Sequence, residues 1–511
     1  MIAKTYSFGL LGLEAYPVEI EIDVANGLPA ITLVGLADTA IKESKERVRS
    51  AIRNSGFQWP SQRITVNLAP SDIKKEGACF DLAIALGILA ATGQINSAVL
   101  KDYYFLGELS LNGELRPVHG VLAISLTMAD LPVKNLLLPE ENSHEAGIIP
   151  EISAWPLRSL RETVQFLVDP GLKQPFKLAL DQTMRKDANY PVDFSEVKGQ
   201  HFAKRALEVA VSGGHNILMI GPPGSGKTML AKRIPTIMPE LTLKEALEIT
   251  RIHSVAGTLL KKELFIGTRP FRSPHHSISN IALIGGGSVP VPGEISLAHQ
   301  GVLFLDELPE FQRNALEALR QPLEDGSIRV SRILKSLVFP ASFVLVAAMN
   351  PCPCGYYTDP HKACRCSTTQ IARYRTKISG PLLDRIDIHI EVPAARYQEL
   401  SSNLPAENSA QIKERVNKTR AIQRERFSAE GAKVEGILCN ALMSHKQVRK
   451  FCTLGKEENG LLKMAMTELN FSARAYDKIM KVSRTIADLA GSGQIKTEHL
   501  SEAIQYRSLD R

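Results

Sequence analysis

Eight consecutive residues, Gly221-Pro222-Pro223-Gly224-Ser225-Gly226-Lys227-Thr228, have the types and spacing of a phosphate cradle. Glycines let successive backbone N–H groups close around phosphate oxygens, and a helix N-terminus behind them adds a favourable dipole. Lys227 can reach the β- and γ-phosphates, and the hydroxyl of Thr228 can hold Mg²⁺. The flanks agree with this: Asn216-Ile217-Leu218-Met219-Ile220 reads as a buried strand and Met229 to Arg233 as helix. A glycine-rich turn without a ligand is the competing reading, and the strand–loop–helix agreement argues against it. The chain is expected to bind and hydrolyse a nucleoside triphosphate.

A second signal is Val302-Leu303-Phe304-Leu305-Asp306-Glu307, an apolar strand delivering two carboxylates to its C-terminal end. Asp306 would hold magnesium and Glu307 would polarise the attacking water. A third strand, Phe343 to Met349, ends in Asn350, whose amide could orient that water; a plain turn before Pro351 is compatible with this. Arg385 precedes the strand Ile388 to Val392, and Arg474 opens a helix from about 473 to 490. A guanidinium suits the charge that develops on a transferred phosphoryl group, although a surface ion pair is the ordinary reading of either arginine. Cys352, Cys354, Cys364 and Cys366 form two Cys-x-Cys pairs able to hold a structural Zn²⁺, with a reduced, metal-free loop as the alternative. Four protein thiolates leave no open position for catalytic zinc. His275-His276 reads as part of a solvated or DNA-facing insert rather than a metal site.

These motifs need a scaffold, and the 511 residues supply two to four folding units. Hydrophobic residues at 44% and charged residues at 23% are ordinary for a globular chain. A net charge of +7 permits nucleic acid as a partner, while 6% aromatics argue against contacts dominated by base stacking. No apolar run has the roughly 20 residues a membrane span needs, so no membrane is expected and the expected address is cytoplasmic. Residues 1–170 read as an α+β domain. Its signs are a strand of alternating Val18, Ile20, Ile22 and Val24, strands at Ala30–Val34 and Arg63–Leu68, a helix from about 38 to 55, and an Asn112-Gly113 hairpin. Residues 171–192 are a polar, proline-bearing linker. Residues 193–395 alternate strands and helices as a parallel α/β sheet does, and residues 396–511 carry only helical patterns.

Taken together, the chain resembles the AAA+ ATPases of the magnesium-chelatase-like branch, and over nearly its full length the ComM/YifB family. The resemblance rests on Ser195 to Gln200, on Gly285-Gly286-Gly287 to His299, on Leu303 to Phe311 and on Gly380 to Asp387. It implies an α/β multidomain protein with a Lon-protease-like front domain, a P-loop core and a C-terminal helical lid. It further implies a homo-oligomeric ring, usually a hexamer, using ATP and Mg²⁺. Val197, Gly199 and Gln200 would lie beside the adenine, Arg385 would act in trans as an arginine finger, and Arg474 would act as a second sensor from the lid. Related helicases grip DNA with an insert and a hairpin, here about residues 269–292 and 327–338, the latter bearing Arg329, Arg332 and Lys335. In the front domain the Lon serine position falls on Cys79 and the lysine position on Leu122, which cannot act as a base. The resulting expectation is a DNA helicase or branch-migration motor acting on single-stranded, forked or branched DNA during natural transformation. A magnesium-chelatase-type metal-insertion subunit and a protein-remodelling ATPase are the rivals.

Overall fold

The computed structural model describes residues 2–36, 38–75, 77–178, 190–259, 265–287, 290–331, 336–357, 359, 362–394, 406–428, 439–469 and 471–507. They form two compact units: one drawn from Met1–Asp187, Leu243–Gly267 and Gly287–Pro292, the other from Ala188–Thr242, Thr268–Gly286 and Gly293–Arg511. The first unit therefore includes two segments from within the stretch that reads as a single core by sequence.

In that first unit, strands Ile2–Leu11, Glu14–Ala25 and Arg63–Ala69 pair antiparallel, and Ala30–Val34 adds in parallel at the edge. The alternation seen in the sequence buries Val18, Ile20, Ile22 and Val24 against the helix Asp81–Ala91, every residue of which is buried. Its one carboxylate, Asp81, is raised by burial and held by Arg47, whose Nε lies 3.0 Å away. Asp38 caps the helix Thr39–Asn54, and Ser55 closes it. The helix Leu243–Val255 packs on Val121–Met128, where Ser254 donates to the buried Glu145.

The second unit is built on a five-stranded parallel sheet ordered Phe271–Arg272, Val302–Leu305, Val344–Met349, Ile217–Ile220, Ile388–Glu391. Side chains alternate across a strand, so Ile217 and Met219 enter one core and Leu218 and Ile220 the other. The first of these cores also takes in the C-terminal helices. Ile479, Val482 and Ile486 of Ala473–Leu489 are essentially fully buried, each worth about 1.5–3 kcal/mol. Arg269, at the start of the stretch the resemblance assigns to an insert, pins the sheet edge. It is buried and donates to the carbonyls of Pro239 (2.7 Å), Gln300 (2.8 Å) and Glu240 (3.2 Å), two residues before the Phe271–Arg272 strand. Among the described residues no helix is long and apolar enough to cross a membrane.

His389, on the last strand, is buried against Arg507 and lies near Asp387; burial and the guanidinium push it down to about 3. The unfolded histidine titrates near 6.5, so between about pH 6.5 and 3 the unfolded chain takes up a proton the folded chain refuses. Stability should fall on acidification through that window, by at most about 1.4 kcal/mol per pH unit for this group. His389→Gln should flatten the slope in denaturation series between pH 7 and pH 5, and an unchanged slope would exclude this assignment.

Candidate functional site

All the expected phosphate-handling groups of the core stand at the C-terminal ends of three adjacent parallel strands. The phosphate loop follows Ile217–Ile220, Asp306 and Glu307 follow Val302–Leu305, and Asn350 follows Val344–Met349. The middle of the sheet is a topological switch point, where such folds hold their ligands. Gly221 is required for closeness: a Cβ there would lie 2.1 Å from the Val392 carbonyl.

Lys227 is buried, and its ammonium donates to the carbonyls of Gly221 (2.7 Å) and Pro222 (3.0 Å), with the Asn350 Oδ1 at 3.5 Å. Burial pushes its pKa down, while Asp306 and Glu307 pull it back up. Thr228 Oγ1 donates to Asp306 Oδ2 at 2.7 Å. A hydroxyl and a carboxylate converging in this way are the hard oxygen donors Mg²⁺ prefers. Glu307 is exposed, and its backbone is left-handed at φ 53, a conformation that costs a non-glycine residue about 1–3 kcal/mol and concentrates at functional sites. Its N–H donates to Asp306 Oδ1 at 3.0 Å.

Tyr374 is buried, and burial pushes its phenol up to about 12, so it stays neutral. Gln200, also left-handed, donates to the carbonyls of Pro393 (2.7 Å) and Ser225 (3.4 Å), tying the Val197–Gly199 segment to the phosphate loop. Val197 itself is a core residue.

The two arginines are reached through neighbouring residues of one turn. Arg385 donates to the Pro381 carbonyl (2.6 Å) and to Glu324, and Arg474 reaches Asp384 Oδ2 at 3.5 Å. Arg474 thus meets the turn that carries Arg385, a neighbour that the sequence does not reveal. Asp387, two residues on, is fully buried. Burial alone would raise it, but Lys478 and His215 outweigh burial and hold the carboxyl well below its ordinary range.

Asn216 joins this turn to the phosphate strand. Its N–H donates to Asp387 Oδ2 (2.9 Å), its Nδ2 to the Arg385 carbonyl (3.1 Å), and its Oδ1 accepts from Leu345 N (2.9 Å). His276, set aside as part of an insert, has its Nδ1 3.5 Å from Glu307 Oε2 and stacks on His275 at 4.0 Å between centroids. The available signal was its position four residues beyond the Phe271–Arg272 strand.

Ser327–Ser331 and Ser336–Pro340 form the expected antiparallel hairpin, with Arg329 exposed opposite Val338; Arg332 and Lys335 lie outside the described residues. The Sγ atoms of Cys352, Cys354, Cys364 and Cys366 all fall within 4.8 Å of one another. In the other unit, Cys79 Sγ lies 3.8 Å from the Phe8 carbonyl, burial pushes the thiol up to about 12, and Leu122 is buried.

Three family models match in register with this layout. "Subunit ChlI of Mg-chelatase" matches residues 20–142, "Magnesium chelatase, subunit ChlI" residues 193–400, and its C-terminal model residues 406–507. Competence protein ComM of Haemophilus influenzae is 45% identical over 518 residues, covering 100% of this chain and 98% of that protein. The uncharacterized protein YifB of Escherichia coli is 43% identical, covering 98% and 96%. The chain belongs to the ComM/YifB family of magnesium-chelatase-like proteins. The magnesium-chelatase 67 kDa subunit of Chlorobaculum parvum is 30% identical over 166 residues, 31% of this chain and 23% of that protein.

Glu307→Gln keeps the strand and the loop but removes the carboxylate expected to activate water. Turnover should fall by about 10²-fold or more with ATP binding retained, measured as kcat alongside nucleotide affinity. Wild-type turnover in that variant would remove Glu307 from the mechanism.

Proposed function

We propose that this protein is a hexameric, ring-forming ATPase that moves on DNA in the cytoplasm, a helicase or branch-migration translocase promoting DNA integration in natural transformation or homologous recombination. One observation carries the reading: the phosphate-handling groups and the two arginines form separate clusters, each orderly on its own. Such a division suits a site completed between neighbouring copies in a ring.

In this mechanism Gly221–Thr228 enclose the phosphates of ATP, and Lys227 exchanges its loop carbonyls for phosphate oxygens. Val197, Gly199 and Gln200 flank the adenine. Thr228 and Asp306 would hold Mg²⁺, which supplies charge neutralisation at the phosphates. Glu307 accepts a proton from water as that water attacks the γ-phosphate, and Asn350 orients the water. His276 sets the direction of the Glu307 carboxylate. Arg385 approaches from the adjacent copy to stabilise the charge on the transferred group, and Arg474 acts as the second sensor from the C-terminal helices.

Support for DNA as the partner comes from the competence name of the Haemophilus relative, the net charge of +7 and the exposed Arg329 of the hairpin. Cations on such a hairpin track phosphates without reading sequence. The chelatase reading has in its favour the family models and the Chlorobaculum match, but that match spans only part of the chain.

ATPase and strand-displacement assays on single-stranded, forked and three-stranded DNA test the proposal. DNA-stimulated hydrolysis with separated product strands is expected, and Arg385→Ala should reduce hydrolysis by about 10³-fold while monomer folding is kept. Hydrolysis indifferent to DNA, with magnesium insertion into a porphyrin or remodelling of a protein partner instead, would overturn it.

A further inference from the structure

Between the strand Val344–Met349 and the helix Thr368–Arg375, no strand or helix occurs among the described residues. Unstructured loops longer than about 12–15 residues are uncommon inside compact domains and need something to pin them. Four thiols converge in this loop. Cys352 is buried and the other three are half-buried, and none is in a disulfide.

The Sγ separations are 3.3 Å (Cys352–Cys354), 3.5 Å (Cys354–Cys364) and 3.7 Å (Cys352–Cys364). A tetrahedron with metal–sulfur bonds of about 2.3 Å has edges of about 3.8 Å, so the thiols already approximate the ligand cage of a single zinc ion. The Cys366 N–H points at Cys364 Sγ at 3.4 Å, a donor that would steady a thiolate. Four sulfur ligands close the site to substrate and make it structural.

The position of this cage gives it a consequence for hydrolysis. Cys352 lies two residues beyond Asn350, and Pro351 between them is buried. Gly355, at φ +84, abuts the phosphate loop: a Cβ there would come 2.6 Å from Pro223 Cδ. Its N–H donates to the Cys352 carbonyl at 3.0 Å. On the other side, Ser367 follows Cys366 directly and caps the helix Thr368–Arg375. Asn350 therefore opens the loop that the thiols gather, and the loop itself touches the phosphate cradle.

We propose that Cys352, Cys354, Cys364 and Cys366 bind one Zn²⁺, and that the metal-closed loop is a positioning device for Asn350 and the Pro223 side of the phosphate loop. The metal half stands alone; the positioning half rests on the ATPase reading above. Metal loss then impairs the chemical step more than it impairs nucleotide binding.

The test uses the full-length protein purified without added metal. About one zinc per chain is expected by elemental analysis, and cobalt exchange should give the absorption of a tetrahedral thiolate site. Zinc-stripped wild type, and a Cys364→Ser/Cys366→Ser variant, should lose kcat by about tenfold or more with KM within about threefold. Added zinc should restore the stripped wild type and not the variant.

Amide exchange should rise at residues 350–356 and 217–228 when zinc leaves. That readout needs no turnover, so it decides the positioning role even if the variant folds poorly or the protein proves not to hydrolyse ATP. A chain that carries and takes up no zinc overturns the metal site. Equal kcat with and without zinc, or unchanged exchange around Asn350 and the phosphate loop, overturns the positioning role.

Discussion

A buried ammonium that needs an anion governs the core unit. Lys227 is shielded from water, its charge is disfavoured by burial, and two backbone carbonyls satisfy it at 2.7 and 3.0 Å. A phosphate offers that cation more than neutral carbonyls can, because charge-assisted hydrogen bonds are roughly twice as strong as neutral ones. The parallel sheet puts Asp306, Glu307 and Asn350 at the same strand ends as this cation. Strand order does this by setting Val302–Leu305 and Val344–Met349 on one side of Ile217–Ile220.

The same strand couples the cradle to the arginines. Asn216, at its start, is bonded both to Asp387 and to the Arg385 carbonyl, while Lys478 of the C-terminal helices closes on Asp387 from the other side. Asp387 is buried and bonded on both sides, so the turn bearing Arg385 is not free to move independently of either neighbour. A shift of the phosphate strand and a shift of the helical segment would both be felt at Arg385. That linkage is what a motor needs if nucleotide state in one copy is to be read by the next.

Much of this was legible in the residues. The phosphate loop, the Asp306-Glu307 strand end, Asn350, the Ala30–Val34 strand and the helix capped by Asp38 are local patterns, and local chemistry sets them. What the chain does not declare locally is long-range pairing. Arg474 meeting Asp384 spans 90 positions, and His276 beside Glu307 depends on two strands coming side by side. Arg269 is another such case: its role as a buried brace comes from carbonyls on two other segments. The membership of Leu243–Gly267 in the first unit is equally silent in the sequence, since the packing surface of Leu243–Val255 is supplied by Val121–Met128.

The central claim is that a complete hydrolytic site needs two copies of the chain, and mixing inactive variants tests it most directly. Glu307→Gln supplies an intact Arg385 but a dead pocket, and Arg385→Ala supplies a sound pocket but no guanidinium. Combined in one assembly, they should regain hydrolysis that neither shows alone, rising and falling with the mixing ratio. Mixtures that never exceed the sum of the two separate variants would contradict the account.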